Sequence, residues 1–108
     1  MASSNIKATN LVNDDGNPTG GTVTGMGIDI KWQDGVLGPD RTEHNGALLE
    51  DVLEAAIQRL RFFQSAQSGK FACRENSVAI THLEESQQWL WRRARNREER
   101  RVLGTYTP

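Results

Sequence analysis

The sequence predicts an α+β chain: an N-terminal β-hairpin followed by a long antiparallel α-helical hairpin, working as an oligomer. Three observations lead there. Between Gly69 and Gly104 there is neither Gly nor Pro, and good helix formers dominate. Well ahead of that stretch, Ile28, Ile30 and Trp32 alternate with Asp29, Lys31 and Gln33, the period of a half-buried strand. With 108 residues the chain makes one small domain, and a lone helical hairpin cannot fill a core. Oligomerisation commonly relieves such a shortage. The expected division is a β-rich segment and loop over 1–46 and a helical hairpin domain with an Arg-rich end over 47–108.

Residues 5–12 read as a short strand. Residues 13–21, Asn-Asp-Asp-Gly-Asn-Pro-Thr-Gly-Gly, are dense in turn formers. Residues 22–34 read as a second strand, in which Gly25 and Gly27 either weaken the first half or mark a bulge or a close backbone approach. A loop over 35–46 carries Pro39, Arg41, His44 and an Asn45-Gly46 turn.

The first helix is expected over about 47–64. Leu49, Leu53, Ala56, Leu60 and Phe63 alternate steps of four and three, and Val52, Ile57 and Phe62 widen that stripe. Glu50, Asp51 and Glu54 suit its N-terminal end, and Arg59 and Arg61 its C-terminal end. Residues 65–69 make a short polar turn, so the two helices lie antiparallel. The second helix is opened by Lys70-Phe71-Ala72-Cys73-Arg74-Glu75-Asn76 and runs to about Arg97. Its seam is Cys73, Asn76, Ile80, Leu83, Gln87, Leu90, Ala94 and Arg97. Asn76 and Gln87 are polar on that seam. They either control register or contact a ligand at a pocket between helices.

Formal net charge is only -1, but its placement is uneven. Residues 1–58 hold three basic and nine acidic side chains, and residues 59–108 hold ten basic and five acidic. The basic half can meet an anion or the acidic half of a neighbouring subunit. A single cysteine, Cys73, excludes an internal disulfide framework and fits a reducing cytoplasm. No signal peptide and no membrane-length apolar run is visible.

No catalytic constellation stands out, so the chain is read as a binding protein and not an enzyme. His44 and His82 are the only histidines, and with one cysteine they specify no metal site. Glu84 and Glu85 are adjacent on a helix and point about 100° apart, so they are no facing acid/base pair. No phosphate-binding glycine motif is present, and no cofactor is implied. The six arginines between Arg92 and Arg101 are the strongest functional signal. They form either a phosphate-binding set or a solvated helix face with Arg–Glu pairs. The weakly acidic total charge argues against a polyanionic nucleic acid and for a small phosphorylated ligand. Phe62, Phe71, Trp89 and Trp91 read best as core. Phe63, at the hairpin tip with Asn76, reads equally as core or as a stacking surface for a nucleobase.

The run Phe63-Gln64, Lys70-Phe71-Ala72-Cys73-Arg74-Glu75-Asn76, Leu83-Glu84-Glu85, Trp89-Leu90, Arg92-Arg93 and Arg97-Glu98 resembles the helical hairpin shared by phage Thoeris anti-defence and anti-CBASS sponge proteins. Upstream, Ile30-Lys31-Trp32-Gln33-Asp34-Gly35, Asn45-Gly46 and Glu50-Asp51-Val52 resemble the Thoeris anti-defence branch, and Asn10-Leu11-Val12-Asn13-Asp14 with Gly16-Asn17-Pro18 is similar to its phage relatives. The resemblance covers nearly the whole chain. It implies a homo-oligomer, typically a hexamer, that sequesters cyclic nucleotide signals in the host bacterial cytoplasm without cleaving them. Those signals are glycocyclic ADP-ribose isomers and cyclic di- and trinucleotides. By position it implies Phe63 (with Phe62 as the alternative) as the stacking aromatic, Asn76 as the base-reading amide and Arg93 as the phosphate ligand. Arg74 joins the ligand-binding set, and Arg41 is a candidate for a second kind of pocket.

Helix geometry adds a constraint. Arg93 lies seventeen residues beyond Asn76, which is about 25 Å along one helix. One hairpin cannot close Phe63, Asn76 and Arg93 around a small ligand, so a shared pocket must lie between chains. The rivals are an enzyme acting on the same signal, which would need a general base or a metal, and a small phage nucleic-acid-binding or scaffolding protein using the Arg-rich end.

Overall fold

The computed structural model describes residues 5–34 and 44–100. The expected α+β order is observed: β1 (Lys7–Val12), β2 (Pro18–Gly25), β3 (Ile28–Lys31), α1 (Leu49–Gly69) and α2 (Arg74–Glu99). The strands form one antiparallel sheet in the order β1-β2-β3. The helices, Leu49–Glu99, form a separate compact unit.

The expected hairpin gains a third strand, and the reversal that makes it traces to a glycine. The span expected to be one strand over 22–34 folds back at Met26-Gly27, where Gly25 pairs with Ile28 and Gly27 adopts φ +78°. That left-handed conformation suits a residue without a Cβ. The second half of the expected turn, 18–21, is instead the start of β2. The true loop is shorter and is closed by Asn13, whose Oδ1 accepts from the backbone N–H groups of Asp15 and Asn17. A register shift between Asn10 and Val12 absorbs the mismatch.

Cross-strand pairing sorts the sheet into two faces. Ala8, Val23 and Ile30 stand in one row, while Thr9, Thr22 and Lys31 stand in the next. Ile28, Ile30 and Trp32 are half-buried and Asp29 and Lys31 exposed, as the alternation predicts. Residues 44–47 extend the sheet beyond β3. The Ala47 N–H donates to the Lys31 carbonyl at 2.7 Å, and the Gln33 N–H donates to the Ala47 carbonyl at 2.9 Å. Asn45 locks this junction: its Oδ1 accepts from the Asp34 N–H at 2.7 Å and its Nδ2 donates to the Asp34 carbonyl at 2.8 Å. Gly46 is required there, because a Cβ would collide with the Trp32 carbonyl.

The α1–α2 interface confirms the second seam and shifts the first. On α2, Asn76, Ile80, Leu83, Gln87, Leu90, Ala94 and Arg97 are all buried or half-buried, whereas Cys73 is exposed. On α1 the buried stripe is Glu50, Leu53, Ile57, Leu60 and Gln64, not Leu49, Leu53, Ala56, Leu60 and Phe63. The two phases share Leu53 and Leu60. The one that places the bulky Ile57 inside buries more apolar surface than the one that places Ala56 there. Ile57 is the one fully buried apolar side chain among the described residues.

The backbone leaves the helical region at Ala66, and Gln67 (φ 49°), Ser68 (φ 58°) and Gly69 (φ 87°) are left-handed in succession. The first helix therefore stops close to the expected boundary. The second begins at Arg74 and not at Lys70, because residues 70–73 complete the turn. The Lys70 N–H donates to the Gln67 carbonyl and the Ala72 N–H to that of Gly69.

Ile57→Ala is expected to cost roughly 3 kcal/mol of unfolding free energy, the range for emptying a core aliphatic site. Urea denaturation would check it. A loss under about 1 kcal/mol would mean that Ile57 is not central to the packing.

Candidate functional site: the hairpin tip and the arginine face

At the tip, Gln64 on α1 reaches across to the start of α2. Its Oε1 accepts from the Cys73 N–H at 3.0 Å and from Asn76 Nδ2 at 3.1 Å. Its Nε2 donates to the Cys73 carbonyl at 3.2 Å and to Ser77 Oγ at 2.8 Å. Cys73 is the N-cap of α2, its carbonyl accepting from the Ser77 N–H. A cysteine caps poorly, and Gln64 ties both the N–H and the carbonyl of this cap residue to the opposite helix.

Phe63 adjoins Gln64 on the outer side of α1. Its ring meets that of Phe62 edge-on at 5.8 Å between centroids. The Arg59 guanidinium lies over both, 5.3 Å from the Phe62 centroid and 4.8 Å from that of Phe63. This stack of two rings and one cation is a polarised aromatic surface, suited to a flat electron-rich ring. Asn76 is half-buried beside Gln64, while Arg74 is exposed at the first position of α2. The tip thus brings Asn76 within one residue's hydrogen bond of Phe63.

Arg93 is not there. It lies exposed far along the same unbroken helix α2, about 25 Å from Asn76 at the helical rise. Arg92 and Arg95 share another face of α2 with Gln88, Trp91 and Asn96, around an open groove. Arg92 stands 5.1 Å from the Trp89 ring centroid. Arg41 lies outside the described residues.

The aromatics expected in the core are not in it. Trp89 is 66% exposed, and Phe62, Phe71 and Trp91 are each about half exposed. Phe62, Trp89 and Trp91 fall outside the seam, which a two-helix interface is too narrow to widen, and Phe71 lies in the turn between the helices. His82 sits on the helix surface with Nδ1 3.8 Å from Glu85. Among the described residues, no three His, Cys, Asp or Glu side chains gather as a metal site would require.

The other polar layer of the hairpin lies about three turns from the tip. Gln87, only 3% exposed, donates through Nε2 to the Glu50 carbonyl and to Glu54 Oε1, both at 3.1 Å. Gln58 Nε2 donates to the other Glu54 oxygen at 3.0 Å. These bonds, with that from Gln58 the strongest, and the nearby Arg61 charge hold the Glu54 carboxyl below its ordinary 4.5, against a smaller opposing push from burial. Arg61 also pairs with Glu84 across the hairpin at 2.6 Å. Both partners are about half exposed, so the pair contributes at most about 1 kcal/mol.

The family model for the Acb2/Tad1 hairpin domain matches residues 27–95. The chain belongs to that family. The match begins in the β2–β3 turn and covers α1 and α2 as far as Arg95, so it includes the whole tip and Arg93. The chain is also similar to a protein named Thoeris anti-defense 1 from Bacillus phage SBSphiJ7, with 49% identity over 72 residues. That match covers 65% of this chain and 48% of the relative, so the chain spans about half the relative's length.

Two features of the tip escaped the sequence: the hub role of Gln64 and the Arg59 cation over the phenylalanines. The first was within reach. Counting Ile57 as the seam residue puts Gln64 next in the alternation of threes and fours, opposite Asn76.

The lowered Glu54 carboxyl has a defined pH signature. A depressed folded-state pKa contributes stability above the unfolded-state value that is lost as pH falls through the folded one. The stability advantage of wild type over Glu54→Gln should therefore be constant near neutrality and shrink as pH falls below about 4.5. Thermal unfolding of both proteins across that range reads it. An advantage unchanged by acid would contradict the hydrogen-bonded carboxylate.

Proposed function

We propose that this chain is a phage anti-defence sponge that binds cyclic nucleotide immune signals and sequesters them without cleavage. Its ligands are glycocyclic ADP-ribose and cyclic di- or trinucleotides, taken up in the host bacterial cytoplasm. Membership of the Acb2/Tad1 hairpin family and likeness to an anti-defence protein support the reading. The observation that carries the mechanism is the separation of Asn76 from Arg93 on one rigid helix. A cyclic nucleotide, much shorter than that separation, reaches both only when a neighbouring chain, running antiparallel, brings its Arg93 to this chain's tip. The pocket in this reading lies between subunits of a homo-oligomer, most naturally a hexamer. Phe63 stacks on the base, Asn76 reads the base edge and Arg93 neutralises phosphate. Arg74, exposed two residues before Asn76 at the start of α2, adds positive potential.

The exposure of Trp89, Trp91, Phe62 and Phe71 supports assembly independently. Large apolar side chains left exposed on several faces of a short hairpin are surface that another chain can cover. Sequestration removes one signal molecule per site, so the reading requires tight, stoichiometric binding. The nucleic-acid alternative uses the exposed Arg92 and Arg95 and requires binding to duplex with a steep salt dependence.

Native mass spectrometry with a mixture of cyclic signals tests the proposal. The expected result is an oligomer carrying unmodified cyclic nucleotide. In Arg93→Ala the oligomer should persist while affinity falls roughly tenfold or more, the usual cost of a charge-assisted phosphate contact. An Arg93→Ala oligomer that binds as tightly as wild type removes Arg93 from the site. A monomer that retains no signal but retards duplex at low salt replaces the proposal with its alternative.

A further inference from the structure

Gln64 is hydrogen-bonded to capacity. A primary amide offers two lone pairs and two N–H groups, and all four are used: Oε1 by the Cys73 N–H and Asn76 Nδ2, Nε2 by the Cys73 carbonyl and Ser77 Oγ. Only one orientation of the Gln64 amide satisfies this set. Flipped, its NH2 would face the Cys73 N–H and the Asn76 NH2, and its oxygen would face the Cys73 carbonyl. The constraint passes to Asn76. Because Gln64 presents an oxygen there, Asn76 must turn Nδ2 inward, since the reverse would oppose two amide oxygens. No described residue donates to Asn76 Oδ1. Among the described residues no buried side-chain nitrogen or oxygen lacks a partner, so Oδ1 is reachable from solvent.

We propose that Gln64 is a positioning residue for ligand recognition. It locks the Asn76 carboxamide in one polarity, so that Oδ1 stands ready to accept from a ligand N–H donor such as the exocyclic amine of a purine. This rests on the reading of Asn76 as a ligand contact. An unrestrained asparagine presents its donor or its acceptor by rotating its amide and loses that freedom on binding. A locked one selects a single polarity and has already lost it. The turn geometry serves the same end. The left-handed run at Gln67, Ser68 and Gly69 returns the chain so that Cys73 meets Gln64, and the lock is thereby tied to closure of the hairpin.

Isothermal titration of the full chain in its native assembly with glycocyclic ADP-ribose and cyclic di-AMP tests this as a mutant cycle. Asn76→Ala and Gln64→Leu should each weaken binding about tenfold, and the double variant should bind no more weakly than Asn76→Ala alone. Gln64→Glu keeps the oxygen that accepts from both the Cys73 N–H and Asn76 Nδ2 and loses only the Nε2 donor, so it should hold affinity within about threefold of wild type while losing thermal stability. In the unliganded wild type, the Asn76 side-chain proton facing Gln64 should exchange slowly with solvent by NMR. That measurement stands even where Gln64→Leu does not fold. A double variant another tenfold weaker than Asn76→Ala would show Gln64 acting independently. It would overturn the inference while leaving Asn76 in the site. A folded Gln64→Glu as weak as Gln64→Leu, or fast exchange of both Asn76 amide protons, would also overturn the lock. Undiminished binding by Asn76→Ala, or a wild type that binds neither probe, would remove the parent reading and this inference with it.

Discussion

Two helices packed side by side have only one interface, and in this chain that interface is bounded by amides. Gln64 closes it at the tip and Gln87 three turns below, with Leu53, Ile57, Leu60, Ile80 and Leu83 on the seam between. A purely apolar seam of Leu and Ile would tolerate sliding by a heptad at modest cost. An amide that must find a particular carbonyl on the facing helix does not, because a slipped register would leave it buried and unpaired. Gln87 finds Glu50 and Glu54, and Gln64 finds Cys73, Asn76 and Ser77. Two polar clamps therefore fix register for a core in which Ile57 is the only fully buried apolar side chain among the described residues.

The same thinness explains the surface. One interface cannot cover both sides of two helices, so the aromatic side chains outside the seam remain in water: Trp89 and Trp91 on α2, Phe62 on α1 and Phe71 in the turn. Reading them as core was reasonable for a globular domain, where a wide apolar stripe meets several neighbours. In a hairpin the stripe has one neighbour, and the width beyond it is left for something outside the chain. The arginines behave similarly. Arg59 and Arg92 stack on aromatic rings, which covers apolar surface and holds cations where solvent or an anion reaches them.

What the sequence disclosed follows from periodicity. The α2 seam from Asn76 to Arg97 was legible because it has no competing phase. Its Ile and Leu positions are separated by strongly polar residues. The α1 seam was ambiguous because Leu53 and Leu60 belong to two phases, and the decisive difference, Ile57 against Ala56, is one of volume. The β3 alternation was legible for the same reason as α2. The turn at Met26-Gly27 was not, because Gly25 and Gly27 announce an irregularity without choosing between a bulge and a reversal. The strand from Pro18 was masked by turn-forming residues at its first positions, where Pro18 pairs with Val12 at the end of the β1–β2 ladder. At the tip, Asn76 stood out as a polar seam residue. The direction of its amide is a property of a four-partner network spread over fourteen residues, and no local pattern encodes that.

Length, rigidity and recognition meet in the distance between Asn76 and Arg93. Helix α2 carries no Gly or Pro between them, so the spacing of roughly 25 Å is fixed by the helical rise and cannot be closed by bending. Under the proposed reading, every complete pocket must then straddle two chains. A ligand that contacts both the tip of one and the arginine of the next binds the assembly better than the separated chain. Linkage requires the converse: such a ligand stabilises the assembly by the same free energy. Assembly and binding become one equilibrium. The amide lock at Gln64 gives each chain a pre-set half of the pocket before its neighbour arrives, and so lowers the ordering cost that the joint event must overcome.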